Sequence, residues 1–199
     1  MGAIKEYRGI SELHVAKLTA DTTAAITWAV PEELAGVAEV TKTTETSVAT
    51  KYYDNKPQIV IKGTGADTVT LVISVLELKK LALITGMYYD ETLAMLVEGE
   101  GTEDYHAIQY ITEKTDGTKM YVSRMKGMFT LPDESTKGKD NGTDSAGQTL
   151  VFTGVETIHK FTKTGKSGKT VVVDSSTSTA NVATWFSAVQ TPDTVVAGV

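Results

Sequence analysis

From Ala38 to Lys51 the chain reads AEVTKTTETSVATK, a run of Thr and Val interleaved with charged residues. β-branched side chains lose rotamers against the preceding turn of a helix but pack well on a pleated surface, so a run of this kind belongs in a sheet. The bias is global, since Thr occurs 32 times among 199 residues and Val171-Val172-Val173 adds to it. Hydrophobic residues make up 41% and charged residues 22%, which is enough apolar material for a core. A single domain is expected over 1–199, because all-β domains often reach this length.

Punctuation then divides the chain. Short strands are expected at Glu12–Leu18 and Ala24–Ala29, and Pro31-Glu32-Glu33-Leu34 reads as a turn or one helical turn. After the Thr-rich strand, Gln58–Lys62 continues the pattern, and Gly63-Thr64-Gly65 is read as a turn into Val69–Ile73. Ser74 and Glu77 have the spacing of a capping box, opening an apolar helix through Leu81 and Ile84 that Gly86 stops. Thr92–Val97 reads as a strand. Tyr105–Glu113 and Lys119–Leu131 flank Thr115-Asp116-Gly117-Thr118, and Asp-Gly between two such runs is a strong hairpin signal. Residues 133–147, DESTKGKDNGTDSAG, read as a polar, mobile loop before a strand at Gln148–Phe161. Gly165–Gly168 turns the chain into a strand at Thr170–Asp174. Ser178–Ala188 suggests a second, C-terminal helix carrying Trp185 and Phe186.

Charge excludes some functions and suggests another. Net charge is −6, contrary to the clustered Lys and Arg that a general grip on nucleic acid requires. Leu81–Glu113 holds no Lys or Arg but carries Asp90, Glu91, Glu98, Glu100, Glu103 and Asp104; Thr157–Val173 carries Lys160, Lys163, Lys166 and Lys169 with no acid. Two such poles are commonly just solvated faces, but they also suit head-to-tail contact between copies.

Catalytic motifs fail one after another. There is no Cys, so no disulfide, thiolate site or thiol nucleophile exists, and the chain suits a reducing compartment. Gly168-Lys169-Thr170 lacks the first glycine of a phosphate loop, which would fall at Lys163, and it leads into a strand. His14, His106 and His159 are not paired at helical spacing. Asp140–Asp144 departs from the calcium-loop order, and Asn141-Gly142-Thr143 is a sequon that matters only after secretion. The tyrosines lack the interleaved Arg of a stacking platform. No signal peptide is expected, since MGAIKEYRGISELHVAKL mixes charges into its apolar residues, and no later stretch approaches the roughly eighteen apolar residues of a membrane span. No cofactor, metal or membrane partner is expected.

The order of segments resembles the major tail protein, or tail-tube subunit, of long-tailed bacteriophages, in particular the phi13-type family. The likeness lies in Pro31-Glu32-Glu33-Leu34 before a Thr-rich strand and Tyr53-Asp54-Asn55 before Gly63-Thr64-Gly65. It continues in the helix ending Leu83-Ile84-Thr85-Gly86, in Tyr105-His106-Ala107-Ile108, and in the hairpin ending Phe129-Thr130-Leu131-Pro132. The resemblance implies a mainly β fold with a flanking α-helix, a β-sandwich or partial barrel of the tail-tube type. A flexible N-terminal arm at about 1–10 and a C-terminal segment at 178–199 would flank it. It further implies a homo-oligomer of hexameric rings stacked into a tube, through whose lumen DNA passes without specific binding. Tape-measure, tail-terminator and tail-tip proteins would be partners; the protein would sit in the virion tail after assembly in the host bacterial cytoplasm. Asp90, Glu91, Glu98, Glu100, Glu103 and Asp104 would then face the lumen or a neighbour. Lys160, Lys163, Lys166 and Lys169 would form the complementary face, and Lys114, Asp116, Gly117 and Lys119 a ring-stacking hairpin. An Ig-like surface-binding domain is the alternative, and a hydrolase using Asp90, Glu91 and Glu103 comes third.

Overall fold

A computed structural model describes residues 4–132 and 147–198. In chain order its elements are β1 (Tyr7–Asp21), β2 (Ile26–Trp28), β3 (Glu32–Glu33), β4 (Val37–Tyr53), β5 (Lys56–Ile73) and α1 (Leu78–Thr85). There follow β6 (Tyr88–Asp90), β7 (Met95–Val97), β8 (His106–Lys114), β9 (Lys119–Phe129), β10 (Gln148–Gly154), β11 (Thr170–Asp174) and a 3-10 turn at Trp185–Ser187. The fold is mainly β with one flanking α-helix among the described residues.

Among the described residues nine strands form one antiparallel sheet in the order β2-β1-β8-β9-β10-β5-β4, with β3 added beside β1 and β11 beside β9; β6 and β7 form a separate hairpin. Although β1 and β4 lie near opposite ends of that order, they come into contact. The sheet is therefore rolled towards a barrel without closing into one. Inside the roll, Leu13 and Val15 of β1 share a core with Val69 and Leu71 of β5, Ile108 and Tyr110 of β8, and Leu150 and Phe152 of β10. Each such side chain contributes about 1.5–3 kcal/mol by leaving water. Helix α1 adds Leu81 and Ile84 to this core, and Gly86 ends the helix in the left-handed conformation (φ +68°), its N–H donating to the Ala82 carbonyl.

Strand alternation gives β8 a second buried face. Ala107 packs with Ala16 and Val189 there, and the Gln109 amide donates to the carbonyls of Trp185 and Ala188. Ser123 Oγ likewise donates to the Gln190 carbonyl at 2.8 Å, and Phe186 stacks on His14 with ring centroids 4.1 Å apart. The C-terminal segment, anchored by the buried Trp185, thus covers the outer face of the central strands.

Several local expectations need correction. Glu32–Glu33 is not a turn: it is strand β3, paired with His14 and Val15. Gly63-Thr64-Gly65 is not a turn either but lies inside β5. A Cβ on Gly63 would press on Ser47 Oγ and one on Gly65 on the Glu45 carboxylate, so both glycines serve close cross-strand approach. The Ser74–Glu77 capping box does not form; Glu77 caps the helix without a side-chain bond, while Ser74 Oγ accepts from the Gly36 N–H. The strand expected at Thr92–Val97 begins only at Met95, after a turn in which Ala94 has φ +50°. The strand from Gln148 ends at Gly154, and the C-terminal helix is reduced to the three-residue 3-10 turn. The expected arm at 1–10 is strand from Tyr7 onward, with residues 1–3 outside the described part, as are 133–146 of the expected mobile loop and residue 199.

Candidate assembly surfaces

β4 and β5 form a hairpin much longer than the body it leaves. Between Asp67 and Ile73 the β5 residues alternate between core and surface, while β4 opposite them has no buried residue; beyond a bulge at Glu45 the pairing resumes at Thr46 with Thr64 and runs to Tyr53 with Lys56. Asp54 and Asn55 close it with φ of +50° and +60°, the mirror-image turn that matches the twist of a hairpin and that Asp and Asn enter more readily than other non-glycine residues. From Thr46 to Gly63 almost every residue is exposed. At about 3.3 Å per residue the arm carries its tip some 25 Å beyond Thr46. One of its faces presents Val48, Tyr52 and Val60, the other Ala49, Tyr53, Ile59 and Ile61. Val48 and Tyr52 are 64% and 67% accessible, and Ile59, Val60 and Ile61 about half. An isolated two-stranded hairpin is marginal in water, and this one shows apolar residues on both faces.

Its outer edge is also open. Among the described residues no strand pairs with the side of β4 away from β5, and Tyr7–Ile10 of β1 has only β8 beside it. These two unpaired segments face each other across a cleft of about 580 Å³, lined by Tyr7–Ile10, Ala38–Val40 and Lys42, and floored by β8, β9 and β11. Below it the Asp67 carboxylate is approached by Lys42 and Arg124 at 3.5 Å each and by Lys169 at 3.8 Å. Arg124 is held by the Tyr110 hydroxyl, which accepts from its Nε and Nη2 at 3.2 and 3.1 Å, while Lys169 donates to the Gly65 carbonyl. With Arg8 and Glu39 on the walls, cations outnumber carboxylates.

The acidic residues differ in how they are held. Asp90 Oδ1 accepts from the N–H groups of Thr92 and Leu93, closing the β6–β7 turn, and Glu91 pairs with Lys79 at 2.6 Å in full solvent. Asp104 accepts from Lys17 and Thr102, both at 2.6 Å, and these bonds hold its carboxyl below the ordinary value despite opposing burial. Glu98, Glu100 and Glu103 stand exposed in a segment without regular structure. Of the lysines, Lys160, Lys163 and Lys166 are exposed in the loop after β10, whereas Lys169 turns inward to Asp67.

The Asp116-Gly117 hairpin forms, with Gly117 at φ +79°. It is braced from both sides: β1 flanks β8 and β11 flanks β9, Lys5 pairs with Asp116 at 2.5 Å, and Lys114 pairs with Asp174. The bond from Lys114, followed by those from the Ser176 hydroxyl and N–H, holds the Asp174 carboxyl at about 2. Lys119 lies at the exposed start of β9, its N–H bonded to Ser175 Oγ. The projecting hairpin is thus the one closed by Asp54-Asn55. Sequence reasoning also missed Arg8, Lys42 and Arg124, which lie far apart in the chain and meet only in the roll. The cue for the arm was Asp-Asn between two strand-like runs.

No protein-family model matches the chain, and neither does any curated protein. Among the described residues no group of three His, Asp or Glu side chains is placed to hold a metal ion. None of the described helices is long and apolar enough to cross a membrane.

Proposed function

We propose that this chain is a structural subunit that assembles with copies of itself through strand edges, as a tail-tube protein of a long-tailed bacteriophage, in stacked rings around a channel for DNA. The observation that carries this reading is the β4–β5 arm. A long open edge with apolar residues on both faces is a hazard for a protein that stays single, and natural sheets blunt, cover or pair such edges. Lys51, Lys56 and Lys62 are the only charges on the arm beyond Thr46 other than Asp54 at its tip, too few to shield it. Packing the arm against a neighbour removes this surface from water and gives the hairpin the third layer it lacks. The two open edges, on β1 and β4, are unlike each other, which suits the heterologous contacts that rings and tubes are built from. The order of segments shared with tail-tube subunits supports the same reading, and hexameric rings follow from that likeness.

The test is association against concentration. Purified protein is examined by sedimentation velocity and negative-stain microscopy. Rings or tubes are expected from the wild type, and loss of both from a Tyr52→Ser, Val60→Ser, Ile61→Ser variant that keeps its unfolding midpoint. A wild type that stays a monomer at the highest attainable concentration overturns the proposal.

A further inference from the structure

We infer that the cleft between β1 and β4 receives the acidic segment 98–104 of a second copy, laid along the open strand edges; this rests on the self-assembly reading above. The cleft offers two things together. Its walls expose unpaired backbone of Tyr7–Ile10 and Ala38–Lys42, which an extended segment can extend by main-chain hydrogen bonds. Among the described residues its charge is unbalanced, because Arg8, Lys42, Arg124 and Lys169 gather around Glu39 and Asp67. Arg8 is exposed at the rim, and Lys42, although its ammonium lies 3.5 Å from Asp67, keeps 41% of its side chain exposed, so both are within reach of an incoming carboxylate, while buried Arg124 strengthens the local field.

Segment 98–104, EGEGTED, is complementary in charge and in form. It carries Glu98, Glu100, Glu103 and Asp104 and no cation, and of these only Asp104 has an ion-pair partner among the described residues. Glu98 and Glu100 are two residues apart, the strand period, so in an extended conformation both carboxylates face the same way. Gly99 then occupies the opposite side with open space around it, whereas Gly101 is packed against the Thr85 carbonyl, so residues 98–100 are the freest part of the segment.

A copy does not fill its own cleft. None of residues 98–104 lines it. The segment leads into the start of β8 and is tied there through Asp104 to Lys17, whereas the cleft is floored by Tyr110 and Thr112 and walled by Tyr7–Ile10. From His106 to Thr112 alone is about 20 Å of strand. Donor and acceptor at different ends of one subunit make a heterologous contact that repeats from copy to copy, which builds a ring or an open-ended stack instead of a closed pair.

The experiment uses two charge-reversed variants of the full chain, Glu98→Lys with Glu100→Lys, and Arg8→Glu with Lys42→Glu. All four positions are exposed, and circular dichroism checks that each variant folds. Each alone should need more than about tenfold higher concentration than wild type to assemble, because like charges now meet. Mixed in equal amounts they should assemble again, since each restores the other's complement. In wild-type assemblies, carbodiimide should join Lys42 to Glu98 or Glu100 between isotopically distinct copies. The inference is overturned if wild type assembles and either variant does so equally well, or if the mixture stays apart and no such cross-link forms. A wild type that never assembles overturns the self-assembly reading itself.

Discussion

The carboxylate of Asp21 and the ammonium of Lys126 meet at 2.7 Å with side chains only 5% and 9% exposed, joining the end of β1 to the middle of β9. The same carboxylate accepts from the backbone N–H groups of Ile158 and His159 at 2.9 to 3.1 Å, pinning the loop after β10 to the sheet. Burial alone would raise the Asp21 carboxyl, but the bonds from Lys126 and the two amides outweigh it and hold it below its ordinary value. Asp21→Ala leaves Lys126 and both amides without their acceptor, and a loss of about 3–5 kcal/mol is expected in denaturant unfolding. Adding Lys126→Met should recover part of that. Because the folded-state value is depressed, this stabilisation is present above the unfolded carboxylate's range. It should be lost as pH falls through the folded value.

His106 should make stability depend on pH in a milder range. It is fully buried, its Nε2–H donates to the Leu83 carbonyl at 3.1 Å, and its Nδ1 has no partner among the described residues. Burial is the main effect and pushes its pKa below 6.5, with the Leu83 bond and nearby Asp104 opposing. The folded state therefore resists a proton that the unfolded chain accepts, so stability falls as pH drops below about 6.5 and levels off below the folded value. Unfolding midpoints measured between about pH 7.5 and about pH 5 should show this slope for wild type and a shallower one for His106→Gln.

Tyr110→Phe removes one oxygen and leaves two donors of Arg124 unsatisfied beneath the cleft. A loss of about 1–3 kcal/mol is expected, although the two side chains differ by one atom. An unchanged unfolding free energy would mean that Arg124 finds other acceptors.

At the arm's tip, Asn55→Val puts a β-branched residue where φ is +60°, at a cost of about 1–2 kcal/mol. The residues around the tip are exposed, so the global midpoint should stay nearly unchanged. Hydrogen exchange at the amides of residues 48–62 should instead accelerate.

Legibility in the sequence followed the range of the physics. Asp116-Gly117 and Gly86 were readable because a left-handed residue is a local requirement. The turn expected at Gly63–Gly65 was misplaced because glycine serves close strand approach as readily as reversal, and only the opposite strand, with Ser47 and Glu45, decides between them. Glu32–Glu33 carries no strand signal of its own; β1 supplies the pairing. Trp185 and Phe186 lie in a segment with helix-like spacing, but contacts with Gln109, Ser123 and His14 hold it in irregular form. The acidic residues were visible as a run along the chain, yet lysines, a turn and solvent divide them. The cleft was illegible, since Arg8, Lys42 and Arg124 are brought together by the rolling of the sheet.

That β1 pairs with β8 also sets an order of events at the ribosome. Residues 7–21 cannot find residues 106–114 until nearly a hundred more have been made, roughly 5–20 s of translation. The β4–β5 hairpin, joined by a two-residue turn, can zip within microseconds of its own emergence. The stickiest part of the subunit therefore takes shape while its body is still unfinished, and neighbouring nascent chains on one message would meet arm first.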